Sequence, residues 1–344
     1  MPANIRETKI GFGYKKQTNL QTPNASGDIW SLSKTNAALT NVSLNTENDA
    51  ADLGKGHEFA TQVFKSHWDV NGSIEKYLTS EIAAWAFVFG LGNRVKSGTA
   101  PAITYTCTPQ DPVSAGIELP AFSFIEAIRQ GASAVLDRMA VGCVVEDFTI
   151  TLGSGPGRAN SRIAINFVGC GKLVEPSGIT LPAPTAEHFL PGASAQVTIN
   201  GVDYVSNRNL VSLEFGWKNN VRLDTGFYPG SGTQDDAAIR GRMEFGDREA
   251  SLRFVARFDS GSSELQKLRQ QTTGTAVISL QGEQISGSDY HSIQVTFHKV
   301  AFRTAVLGET DGIVTVEVEC QPLWDNTNGL LTAVAKCSQD NIGS

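Results

Sequence analysis

The residues best suited to chemistry are scattered along the chain. Five histidines, His57, His67, His188, His291 and His298, are candidate metal ligands or proton carriers, but no two stand at the i, i+4 helical spacing that turns a pair of imidazoles onto one ion. Each is read as an ordinary surface or half-buried side chain. Five cysteines, Cys107, Cys143, Cys170, Cys320 and Cys337, are odd in number and form no C-x-x-C pair, which points to buried thiols and away from a disulfide framework or a zinc knuckle. The run GSGPGR at 153–158 has the glycines of a phosphate cradle but not its G-K-[ST] ending, and it joins two strand patterns instead of opening a helix. It is read as a hairpin turn. Asp235 and Asp236 are paired carboxylates in a loop rich in Gly and Thr, where a solvated turn outweighs a weak calcium site. No G-x-S-x-G elbow presents a serine nucleophile. The expectation is a protein without catalytic residues, cofactor or resident metal.

The elements that would have to position any such group are mostly strands. Thirty-four glycines punctuate many short alternating runs, the signature of a mainly β chain whose frequent turns need relief from φ restrictions. A length of 344 residues exceeds what one hydrophobic core usually fills, so two domains are expected. With 28 basic against 35 acidic side chains the formal charge is −7, and no basic run occurs, which argues against a surface built to grip nucleic acid. The first residues lack an apolar core of signal-peptide length, and the longest apolar run, 82–92, is far short of the ~20 residues that span a bilayer. A chain made in the cytoplasm, with no membrane association, is expected.

Hairpins are legible at FTITL (148–152) with RIAINFVG (162–169), and at AFRTAVL (301–307) with IVTVEVEC (313–320). They occupy similar places in the two halves, matching Phe148 to Phe302 and the stripe Ile163, Ile165, Phe167 to Val314, Val316, Val318. DVNGSIEKY (69–77) precedes DREASLRFV (247–255) by 178 positions, aligning Ile74 with Leu252. The capped helix TSEIAAWAFV (79–88) precedes its polar relative SSELQKLRQQ (262–271) by 183. Landmarks in one order at a nearly constant offset predict a duplicated unit. The boundaries predicted are an N-terminal arm at 1–25, a first β domain at 26–180, a linker with three prolines at 181–194, a second β domain at 195–325 and a C-terminal tail at 326–344. Each domain carries one short helix and one long polar loop, at 47–62 and 226–238; loops of that length are commonly functional. The first helix is apolar almost all round. Trp85 and Phe89 are expected to face its own sheet, while Phe87 or Val88 meets the sister domain or another subunit.

The segments SGDIWSLSKTNAALTNVSLNTENDAADLGKGHEF, WDVNGSIEKYLTSEIAAWAFVFGLG, VTINGVDYVSNRNLVSLEFGWKNNV and AIRGRMEFGDREASLRF together resemble the tail tube proteins of long-tailed bacteriophages, a likeness in strand order and turn position that runs from about Ser26 to Pro322. Ser80 stands where the family pattern leads one to expect proline. The resemblance implies two tandem β-sandwich or barrel domains with a flanking helix each, and no catalysis. It implies self-association into rings with six tube domains, so that three two-domain chains would make one ring. Stacked rings would form the conduit for the viral genome, which passes without specific binding. Other tail proteins, namely tape measure, terminator and baseplate or tip, are the implied partners, and the virion tail is the implied location. The candidate contacts between subunits or rings are Asp52, Leu53, Gly54, Lys55 and Gly56 in the first loop, Phe227, Tyr228, Asp235 and Asp236 in the second, and Phe87 and Val88 on the helix. The alternatives are a tail terminator or baseplate ring of the same fold, and a non-viral two-domain binding module, which would need exposed aromatic platforms.

Overall fold

A computed structural model describes residues 7–32, 36–48, 62–111, 117–130, 133–153, 161–176, 179–184, 186–206, 210–228, 233–234, 237–259, 263–310 and 312–344. The first half gives β1 (Glu7–Gly13), β2 (Ile29–Leu32), β3 (Asn36–Asn48), β4 (Val63–Tyr77), α1 (Ser80–Leu91), β5 (Gly92–Thr99), β6 (Ala102–Pro109), β7 (Phe122–Gln130), β8 (Ser133–Gly153), β9 (Ser161–Val168) and β10 (Lys172–Val174). The second gives β11 (Gln196–Ile199), β12 (Val202–Asp203), β13 (Leu210–Lys218) and four short strands, β14 (Val221–Arg222), β15 (Thr233–Gln234), β16 (Ala237–Ala238) and β17 (Glu244–Phe245). It continues with β18 (Glu249–Arg257), α2 (Glu264–Gln270), β19 (Thr273–Ser286), β20 (Asp289–Thr310), β21 (Ile313–Pro322) and β22 (Leu331–Cys337). The fold is mainly β and antiparallel, as the alternating runs predict, and both hairpins read from the sequence form, closing at Leu152↔Ser161 and Thr310↔Ile313.

One sheet runs through both halves in the order β3, β4, β9, β8, β13, β18, β21, β20. The two longest strands leave it partway. The N-terminal part of β8 pairs with β7 and β10, and β7 with β1, forming a flanking sheet with β2. The N-terminal part of β20 pairs with β19 and β22 in a second flanking sheet, which β22 extends to β6 and β5 and β19 extends to β11 and β12. The core fills the space between these layers, because alternation aims every second side chain of the shared sheet inward. Ile74, Ile165, Phe148 and Trp217 make one such row, and Ile163, Ile150, Phe215, Leu252, Cys320 and Phe302 the next.

The halves are interlaced. The β5–β6 hairpin belongs to the first half by position, yet it is carried by β22 at the end of the second. A single hydrophobic cluster contains Phe12, Trp85, Phe148, Phe215, Phe254 and Val318. The segments read as an arm and a tail also contribute strands, β1 and β22, held on the ladders of β7 and β20. The strand equivalences need adjustment too. Bulges fall between Val145 and Asp147 in β8 and between Phe302 and Thr304 in β20, and superposing the two bulges would set Val145, not Phe148, against Phe302. The same superposition would set Ile163, Ile165 and Phe167 against Val316, Val318 and Cys320, and Ile74 against Phe254, each two positions from the sequence match.

α1 begins where the Thr79 hydroxyl accepts from the Ile82 N–H at 3.4 Å, and it ends at Gly92, whose φ of 87° relieves the turn while its N–H returns to the Val88 carbonyl. Every residue from Ser80 to Leu91 is buried. Trp85 stacks on Phe89 and meets Phe12 and Phe122 edge-on, with its Nε1–H donating to the Gly13 carbonyl at 2.9 Å. These two aromatics face the first half's own strands, as expected. Phe87 lies 5.8 Å from Phe148, and the last residues of the chain cross Val88, where a Cβ placed on Gly343 would stand 2.4 Å from its Cγ1.

Candidate functional site

The most distinctive surface is the face of the shared sheet that turns away from the core. On it the ladder aligns Tyr77, Arg162, Thr151, Glu214, Arg253 and Glu319 in one row, and Glu75, Ala164, Thr149, Gly216 and Ser251 in another. A third row sets Ser73, Asn166, Asp147, Lys218 and Glu249 side by side. Small and polar side chains dominate, and the face continues unbroken across the β8–β13 junction, where Asp147 to Gly153 pair with Ser212 to Lys218. Its acids, Glu75, Asp147, Glu214, Glu249, Glu317 and Glu319, outnumber its bases, Arg162, Lys218, Arg253 and Arg257. Two of those bases are tied down: Arg162 donates to Glu75 at 3.1 Å and Arg253 pairs with Glu317. Asp147 accepts from Asn166 at 2.9 Å. Desolvation, with Asp147 as neighbour, holds the Glu146 carboxyl above its ordinary range, and desolvation does the same to Asp147. Among its described residues two of the four bases are held by acids, and at one end Thr151, Gly153, Ser212, Glu214 and Arg253 border an open hollow of about 400 Å³. The face can present a mildly anionic wall.

Of the candidate contacts, Asp52, Leu53, Gly54, Lys55 and Gly56 lie outside the described residues, as do Asp235 and Asp236. Phe87 and Val88 are fully covered within the chain, so neither can reach another subunit; the neighbours expected for that side of α1 come from β8, β22 and the C-terminal residues of the same molecule. Phe227 is half-buried, with His67 of β4 5.0 Å away and the Arg240 guanidinium 4.8 Å above its ring, so it holds the second-half loop on the first half. Arg240 itself is buried and reaches Asp69 at 3.1 Å. Tyr228 is exposed, its hydroxyl donating to Glu244 at 2.9 Å.

The five cysteines are buried as expected, and burial pushes the thiols of Cys107, Cys320 and Cys337 up to about 12, which leaves them unreactive. His298 contacts the Thr332 hydroxyl at 2.8 Å. Sequence reasoning missed one arrangement. Glu81 in the first turn of α1, His188 in the connecting segment and His291 in β20 converge, with His188 Nδ1 2.7 Å and His291 Nδ1 3.5 Å from Glu81 Oε1. The two imidazoles stack at 3.8 Å, and Ser80 Oγ sits 2.8 Å from His291 Nδ1. Burial is the main cause holding His291 below its usual range. No spacing rule could have found three residues more than a hundred positions apart; only His188 beside the prolines of a segment that had to pack on something gave a hint.

Exposed apolar side chains concentrate at two hairpin ends. Val63 and Phe64 begin β4, and Val306, Leu307, Ile313 and Val314 crown the β20–β21 hairpin. They lie on the β3–β4 and β20–β21 pairs that end the shared sheet. Among the described residues β3 pairs only with β4, and β20 beyond Phe302 pairs only with β21. No curated protein matches the chain. A family model described as phage tail tube protein matches residues 9–322.

Proposed function

The chain belongs to the phage tail tube protein family, whose members are structural and not enzymes, and from that premise we propose that it is the major tube subunit, polymerising into stacked rings that conduct the viral genome. The observation that carries the proposal is the polar face that crosses the β8–β13 junction without interruption. By its bulge and its place after the helix, the free C-terminal part of β20 is the counterpart of the same part of β8. By its pairing with β18, β13 is the counterpart of β3. A second chain would then dock its β3 on the open β20 edge as β13 docks on β8, and edge strands with unpaired N–H and C=O groups and exposed apolar tips are suited to such pairing. Three chains closing head to tail would repeat the unit six times, and the two halves are proposed to be copies of one ancestral domain.

The wall of such a ring would be the polar face. DNA slides past it because its acids outnumber its bases and two of its arginines are already paired, whereas several unpaired cations would hold phosphates strongly at physiological salt. Ring stacking is assigned to the long loops at 47–62 and 226–238, with assembly in the host cytoplasm and contacts to tape measure, terminator and tip proteins at the tube's length and ends. The same fold in a single capped ring is the runner-up.

The test is assembly. Purified chain at high concentration should give threefold rings or hollow tubes in negative-stain images. Substituting Val306→Lys with Leu307→Lys, both exposed, should leave the circular-dichroism β signal intact and abolish rings. A wild-type chain that stays monomeric across salt and concentration, or a double variant that still forms rings, overturns the reading. Deleting residues 52–56 should permit single rings and prevent stacking.

A further inference from the structure

We infer that Glu81, His188 and His291 form a binding site for one first-row divalent transition metal ion of the zinc class, and that the ion clamps the two halves of the chain together. The three ligand atoms lie within 4.8 Å of one another. An ion held at about 2.0–2.2 Å by imidazole nitrogen and carboxylate oxygen needs those atoms roughly 3–3.6 Å apart. From Glu81 Oε1 the separation to His188, 2.7 Å, falls just short of that range and that to His291, 3.5 Å, lies inside it. The two imidazoles, stacked at 3.8 Å with planes 10° apart, must swing out of parallel for both Nδ1 lone pairs to aim at one ion.

The chemistry of the set favours the same class. Two imidazoles and one carboxylate suit zinc, cobalt, nickel or copper, whereas magnesium and calcium prefer oxygen throughout. Ser80 Oγ, 2.8 Å from His291 Nδ1, stands beside the fourth position. Glu81 is oriented within the set by a second contact, since its Oε2 accepts the His188 backbone N–H at 3.3 Å. Access exists on one side only. The His188 side chain is 25% exposed, while Glu81 and His291 are at 7% and 2%.

Each ligand comes from a different part of the chain: the first turn of α1, the segment connecting the halves, and β20 of the second half. Around this point the connecting segment is held by the Leu190 N–H on the Leu78 carbonyl at 3.0 Å and the Ser80 N–H on the His188 carbonyl at 3.2 Å. A metal would replace a shared hydrogen-bonded contact by three coordinate bonds and fix that segment against both neighbours.

Tag-free full-length chain, stripped with chelator, is titrated with zinc chloride by calorimetry, and bound zinc is counted by elemental analysis. The expected result is one ion per chain with micromolar or tighter affinity, no response to magnesium, and zinc-dependent protection of the 186–191 segment from protease. His188→Ala, at the partly exposed ligand, and Glu81→Gln should each weaken binding at least tenfold, while His67→Ala, beside Asp69 elsewhere, should not. Absence of stoichiometric binding, or binding unchanged in His188→Ala, overturns the site. Zinc binding without added protection overturns the clamp.

Discussion

The two helices open on related sequences, TSEI and SSEL, and live in opposite environments. α1 runs for twelve residues with a side-chain cap and no exposed position; α2 has seven residues, lacks a side-chain cap bond, and buries only Glu264. Intrinsic propensity does not explain the difference, since ELQKLRQ contains better helix formers than SEIAAWAFVFGL. Coverage does. The second half supplies β20 and β22, and the final residues tie down the remaining side through Ile342, whose carbonyl accepts from Arg94 and whose N–H donates to the Tyr105 hydroxyl at 3.1 Å. α2 rests mainly on β20 and leaves its polar side in solvent. A short capped helix therefore takes its stability from what the rest of the chain lays over it.

The sharpest break of this comparison is truncation at matched sites. Trp85→Ala should cost about 3–5 kcal/mol in urea unfolding, because a fully buried ring and the partner of the Gly13 carbonyl disappear together. Leu268→Ala, 183 positions on in α2 and only half-buried, should cost about 1 kcal/mol; equal costs would mean that coverage is not the cause. Next come the chain positions that end each element. Gly343→Val forces a branched side chain into φ +66 against Val88 and should lose about 1–3 kcal/mol. Gln271→Gly relieves a residue at φ 51 after α2 and should gain about 1 kcal/mol, both read as shifts in melting temperature. The smallest effect concerns the strand junction that joins the two environments. With the Glu146 carboxyl raised in the folded state, the folded chain binds more protons than the unfolded one, so this group adds stability as pH falls from neutral through its raised pKa. Glu146→Gln should be slightly more stable than wild type at pH 7 and lose that advantage as the pH falls through the raised pKa; an advantage that grows on acidification would reverse the assignment.

Local features were legible in the sequence, and long-range pairings were not. The α1 cap at Thr79, its all-round apolar character and both hairpins follow from residue types within a few positions of one another. The β8–β13 junction could not be read, because Thr149 and Gly216 carry no mark of each other. β22, LTAVAKC, is short and flanked by turn residues, so it read as a tail until its partners on β20 and β6 were known. The sequence left two covers open for Phe87 and Val88, the sister half or another subunit, and the fold lays residues of the same chain over both, β8 beside Phe87 and the C-terminal residues across Val88. Register between the two hairpins was not legible either, because alternating apolar residues look alike at every second step, while a bulge leaves no sequence signature of its own.

The β8–β13 junction has a consequence for how assembly starts. In the proposed ring three of the six strand seams are intramolecular, formed during folding of each monomer, and only three must be found by diffusion. Tethered strands meet at an effective concentration of order millimolar when the connection can span them, a value free chains seldom reach. Halving the number of collisions needed to close a ring shortens the nucleus of polymerisation, and with it the concentration at which tubes first appear.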